Sequence, residues 1–126
     1  MKALLKNYHQ SPRKVRLVAD LIRGKRIAEA QAALLFLDKK SSPAIRKLLD
    51  SAVANARNSG VFTEELIVKR MSVDKGTVMR RARPFSRGRS GTIRKTMSII
   101  SLELGAPDKK TAPKKQKNPK TLATNH

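Results

Sequence analysis

Apolar residues recur at helical spacing through the first half of the chain and in strand-like runs through the second. Val15, Val18, Ala19 and Ile22 fall at i, i+3, i+4 and i+7, which places them on one face of a helix. Ser11 stands where an N-cap belongs, and Pro12 suits the first turn, where its missing N–H would have no partner. Gly24 supplies the stop. Ile27, Ala30, Leu34 and Leu37 share a face of an Ala/Leu-rich stretch at 27–37, whose start carries no clear cap. Ser42 and Pro43 repeat the cap-then-proline signal. Ile45, Leu48, Leu49, Ala52, Val53 and Ala56 then form a broad apolar face, ended by Asn58-Ser59-Gly60. Residues 2–9 read as a short edge strand.

The second half reads differently. The runs L-I-V-K-R-M-S-V-D (66–74) and I-R-K-T-M-S-I-I-S-L-E-L (93–104) favour strands, and Gly-containing sequence joins them. The pattern predicts a long hairpin with its tip near Arg87-Gly88. A dozen or so residues per limb at about 3.3 Å each give an arm of roughly 40 Å. From Gly76 to Lys95 the arm carries seven basic residues (Arg80, Arg81, Arg83, Arg87, Arg89, Arg94 and Lys95) and no acid. A lone two-stranded ribbon is marginal in water, and unpaired cations weaken it further. Such an arm needs a polyanion around it, and the alternative is a disordered basic loop in the free protein.

Charge sharpens that reading. The 126 residues hold 29 Lys+Arg against 9 Asp+Glu, a net charge of +20. An excess of this size opposes compaction and attracts nucleic acid or an anionic membrane. The membrane is the weaker partner, because no stretch approaches the ~20 apolar residues of a span, and the chain's start lacks the apolar core of a signal peptide. Without cysteine there is neither a disulfide framework nor a thiolate metal site. Removing arm and tail leaves about 80 residues for one small core. Aromatic residues are scarce, one Tyr and three Phe, so stacking platforms for unpaired bases are lacking and recognition must rest on phosphates and shape. Arg13, Lys14 and Arg16 crowd the first turns of the first helix, where the dipole disfavours cations, which suits a face turned towards a phosphate backbone. Neither His9 nor His126 has companions at metal-ligand spacing. The acids are scattered and no nucleophile or phosphate-loop motif occurs, so no catalytic, metal or cofactor site is expected. The Lys/Pro-rich segment 105–126 is expected to be disordered by itself.

Four stretches in order, S-P-R-K-V-R-L-V-A-D-L-I-R-G-K (11–25), L-L-D-S-A-V-A-N-A-R-N-S-G (48–60), V-D-K-G-T-V-M-R-R-A-R-P-F-S-R-G-R (73–89) and I-R-K-T-M-S-I-I (93–100), resemble the bacterial type of the ribosomal large-subunit protein twenty-two family. The resemblance spans about residues 2–104. It implies an α+β fold, three helices packed on a small antiparallel sheet with a long protruding basic β-hairpin. It makes 1–104 a single domain with an arm at about 74–95 and a separate basic tail. It also implies a structural constituent of the large subunit, not an enzyme, that is monomeric within a ribosome of the cytoplasm or an organelle and touches no membrane. Its partners would be large-subunit ribosomal RNA, neighbouring ribosomal proteins and the nascent polypeptide in the exit tunnel. On this resemblance the RNA-binding set is Ser11, Arg13, Lys14, Arg16, Arg80, Arg81, Arg83, Arg87, Arg89, Arg94 and Lys95. The tunnel-lining set is Met79, Arg80, Arg81, Pro84, Phe85, Arg87 and Gly88, with V-M-R-R at 78–81 matching the segment near the tunnel constriction and macrolide site. The chain departs from the family at Pro84-Phe85-Ser86, commonly P-R-A, and at 96–100, commonly T-S-H-I-T.

Two other classes bear on the same features. A DNA-architectural protein could insert the basic arm in a minor groove, with Phe85 as its wedge. A peripheral membrane adaptor could use the lysine tail.

Overall fold

In the computed structural model, residues 1–107 are described. The elements follow in the order β1 (Lys2–Tyr8), α1 (Pro12–Ile22), α2 (Ile27–Phe36), α3 (Ser42–Asn58), β2 (Ile67–Pro84), a single 3-10 turn (Ser86–Gly88) and β3 (Ser90–Gly105). The predicted α+β fold is the one observed. The sheet is antiparallel with order β1-β3-β2, so the last strand is central. Its inward residues line up across the three strands: Leu102 pairs with Ala3 on one side and Met71 on the other, and Ile100 pairs with Leu5 and Val73. The helices cover this face. Val15, Val18, Ala19 and Ile22 of α1 and Ile45, Leu48, Leu49, Ala52 and Ala56 of α3 are all buried in the same core as Ile100, Leu102 and Leu104.

The element ends show what sequence signals did and did not specify. Ser11 is the N-cap of α1, but its hydroxyl makes no capping bond. Ser42 is not the cap of α3. It lies inside the first turn and donates its hydroxyl to the carbonyl of Leu34, near the end of α2, while Ser41 takes the cap position. The missing cap of α2 has a tertiary explanation: the Ile27 N–H donates to Leu66 O at 3.3 Å, beside a bridge between Arg26 and Ile67. Leu37 falls just past the helix and is half-buried. Gly24, at φ +79, turns the chain so that its N–H donates to Val68 O at 2.9 Å. A β-carbon would be strained in that conformation.

Candidate nucleic-acid interface

The arm begins where the core stops. Val73 is the last buried residue of β2 and Met97 the first of β3 on its return, and every residue from Arg80 to Ser90 is exposed. Between them the strands stay paired, from Val78↔Thr96 through Met79↔Lys95, Arg80↔Arg94, Arg81↔Ile93, Ala82↔Thr92 and Arg83↔Gly91 to Pro84↔Ser90. Seven such pairs at about 3.3 Å each extend roughly 23 Å before the tip turn. The lowest of them, Val78↔Thr96 and Met79↔Lys95, belong to the foot, beside the body. The tip turn has Arg87 at φ +58 and Gly88 at φ +68, as the Arg87-Gly88 position predicts.

Alternation distributes the charge. Side chains of paired residues share a face and successive residues change face, so Arg80 and Arg94 lie on one side of the ribbon and Arg81, Arg83 and Lys95 on the other. Arg80 and Arg94 are directly opposite each other, an arrangement that destabilises an isolated ribbon. Arg81 partly folds back, donating to Arg80 O at 2.8 Å. Arg87 and Arg89 are exposed at the tip beside Pro84, Phe85 and Gly88. The Phe85 ring lies over Gly91, so close that a β-carbon there would come within 2.0 Å of it. The ring meets Gly91 along its edge and stays more than half exposed. Met79 is not at the tip; it lies at the foot, near His9 and Gln10.

The second cationic surface adjoins that foot. A groove of about 370 Å³ runs between the β1–α1 turn and the arm and is lined by Gln10, Ser11, Lys14, Lys40, Lys95 and Thr96, among others. A neighbouring depression of about 450 Å³ shares Ser11, Lys14 and Thr96 and adds Arg13, Arg16 and Lys75. Among the described residues no carboxylate lines either one. Lys14, Lys40, Lys75 and Lys95 form no ion pair among the described residues. The turn is built before anything binds. Buried Ser98, facing inward from β3, donates its hydroxyl to Gln10 O, and the Gln10 N–H donates to Tyr8 O at 2.8 Å. Tyr8 Oη donates to Lys40 O at 3.1 Å, and burial pushes its phenol above the ordinary value.

The structure thus brings the helix cluster and the lower arm together and leaves the tip cations apart. Arg16 also holds the body together, since its Nε donates to Val73 O at 3.1 Å and ties α1 to β2. Lys40, Lys75, Gln10 and Thr96 were not legible as site residues, because they meet only through the pairing of β1 and β2 with β3 and through the α2–α3 connection.

The chain matches the family model for ribosomal protein L22p/L17e over residues 3–105. It is 46% identical over 102 residues to the large ribosomal subunit protein uL22 of Herpetosiphon aurantiacus, covering 80% of this chain and 90% of that one. To the protein of the same name from Staphylococcus aureus it is 47% identical over 102 residues, covering 80% and 87%.

Proposed function

The chain belongs to the ribosomal protein L22p/L17e family, and on that premise we propose that it binds large-subunit ribosomal RNA, supports subunit assembly and lines the polypeptide exit tunnel with its arm. As a large-subunit ribosomal protein it has a structural role rather than an enzymatic one. The observation that carries the RNA reading is the placement of cations on both faces of a ribbon that is exposed from Arg80 to Ser90. A protein resting on a flat polyanion needs charge on one face; charge on both suits an arm enclosed by phosphates. The helix cluster Arg13, Lys14 and Arg16, with Ser11, forms the body's share of that footprint. Met79, Arg80, Arg81, Pro84, Phe85, Arg87 and Gly88 are the proposed tunnel-facing set, with the exposed tip nearest the nascent chain.

Two measurements test this reading. The chain should remain with large ribosomal subunits after a high-salt wash, and release into the supernatant would overturn subunit binding. A photo-crosslinking side chain at Arg87 should capture the nascent chain in stalled ribosomes. Crosslinks to RNA alone would keep the RNA reading and remove the tunnel one.

A further inference from the structure

The groove at the foot of the arm offers more than charge. Lys14, Lys40 and Lys95 reach it from α1, from the α2–α3 connection and from β3. Beside them stand neutral polar groups that no described residue engages. Gln10 Oε1 is shut off from water and has no donor among the described residues. The Ser11 hydroxyl makes no capping bond, and the Thr96 hydroxyl has no hydrogen-bond partner among the described residues. The backbone that carries Gln10 is meanwhile fixed by Ser98 and Tyr8.

These groups ask for a particular ligand. Phosphate oxygens only accept hydrogen bonds, so they can take the lysines, the hydroxyls and the Gln10 amide N–H groups but offer nothing to Gln10 Oε1. The terminal torsion of glutamine is broad, so the amide can turn towards the groove and accept from a ligand that supplies a donor. A DNA backbone carries no donor, whereas an RNA backbone carries one per nucleotide, the ribose 2′-hydroxyl.

We propose that this groove seats a stretch of RNA sugar–phosphate backbone, with Lys14, Lys40 and Lys95 on phosphates and Gln10 and Thr96 on ribose 2′-hydroxyls. It is thereby the place where the protein tells RNA from DNA. The inference rests on the RNA-binding reading above and adds the group that is recognised.

The test uses the full chain, deproteinised large-subunit ribosomal RNA and a single-stranded DNA copy of it, with affinities measured at one fixed salt concentration. Gln10→Met combined with Thr96→Val should lower RNA affinity about tenfold, the loss of two hydrogen bonds, and leave DNA affinity unchanged. Each single substitution should move the RNA/DNA ratio the same way by about threefold, so a folding fault in one leaves the other as a test. Lys14→Gln with Lys95→Gln should instead weaken both nucleic acids alike and reduce the salt slope by about two. An RNA/DNA ratio unchanged by Gln10→Met and Thr96→Val would overturn the groove assignment while RNA binding stands. A wild-type chain that fails to bind the RNA would overturn both.

Discussion

Ser41 and Ser42 are adjacent and both buried, yet their hydroxyls do opposite things. Ser42 satisfies Leu34 O near the end of α2, while Ser41 Oγ has no partner among the described residues. Ser42→Ala should therefore lose about 1–3 kcal/mol by orphaning a buried carbonyl. Ser41→Ala, at a helical backbone position, should be neutral or stabilising; urea denaturation of the two variants measures the contrast. The cations of α1 divide in the same way. Arg13→Gln and Lys14→Gln should weaken RNA binding and leave the melting temperature in place, whereas Arg16→Gln should lower it by breaking the bond to Val73 O. On the open face of the sheet, Lys2 Nζ lies 3.0 Å from Glu103 Oε1. Hydrogen bonding from Lys2 holds the Glu103 carboxyl below its ordinary 4.5, with smaller help from the Arg70 and N-terminal charges. The folded chain thus binds this proton less readily than the unfolded one. The stabilisation is complete above about pH 4.5 and disappears as pH falls through the lowered value. Glu103→Gln should flatten that part of a melting-temperature profile recorded from neutral to acid pH. The effect should be small and sensitive to salt, because the pair is exposed.

At the scale of elements, the body and the arm are stabilised by different things. The body has a core in which Ile22, Ile45, Leu49, Ile100 and Leu102 are almost completely buried. The arm has backbone pairing, the cover of Phe85 over Gly91 and a set of repelling cations. Contact of the Phe85 ring edge with Gly91 supplies packing that the glycine itself lacks. Excising residues 79–95 and closing the strands at Val78 and Thr96 with a two-residue turn should leave the thermal midpoint of the body nearly unchanged. None of the buried core residues lies in the excised segment. A large fall in the midpoint would show that the arm contributes to folding. Incorporation of the shortened chain into large subunits would place the anchoring surface on the body, because Met79 and Lys95 of the foot groove leave with the arm.

Over the whole molecule, a charge of +20 on 126 residues makes association with RNA dominated by counterion release. If six or more phosphates are neutralised, affinity should fall by at least ~10³-fold between 50 and 200 mM salt. Titration of filter binding against salt gives the slope directly, and a flat dependence would contradict a phosphate-based footprint. Among the described residues no helix is long and apolar enough to cross a membrane, and none of their His, Asp or Glu side chains group into a candidate metal site. The basic segment expected to be disordered at 105–126 begins inside the sheet, since Gly105 ends β3 opposite Ile67; from 108 on the expectation lies outside the described residues.

The sequence by itself determined the elements and the character of the surface. The spacing of Val15, Val18, Ala19 and Ile22, the face running from Ile45 to Ala56 and the two strand runs are local patterns, and local patterns survive without knowledge of neighbours. The arm and its charge were legible for the same reason, and so were the four stretches that resemble the family. Only the tertiary structure decided which strand is central, that Ser42 bonds to α2 instead of capping α3, and that α2 borrows its cap from Leu66. It also decided that Met79 sits at the foot of the arm and that Arg16 ties helix to strand. The foot groove belongs to the same class. Gln10 and Ser98 are 88 positions apart, and Tyr8 and Lys40 are 32 apart. Hydrogen bonds across such separations depend on strand register and helix packing, and no periodicity within a window of the chain encodes them.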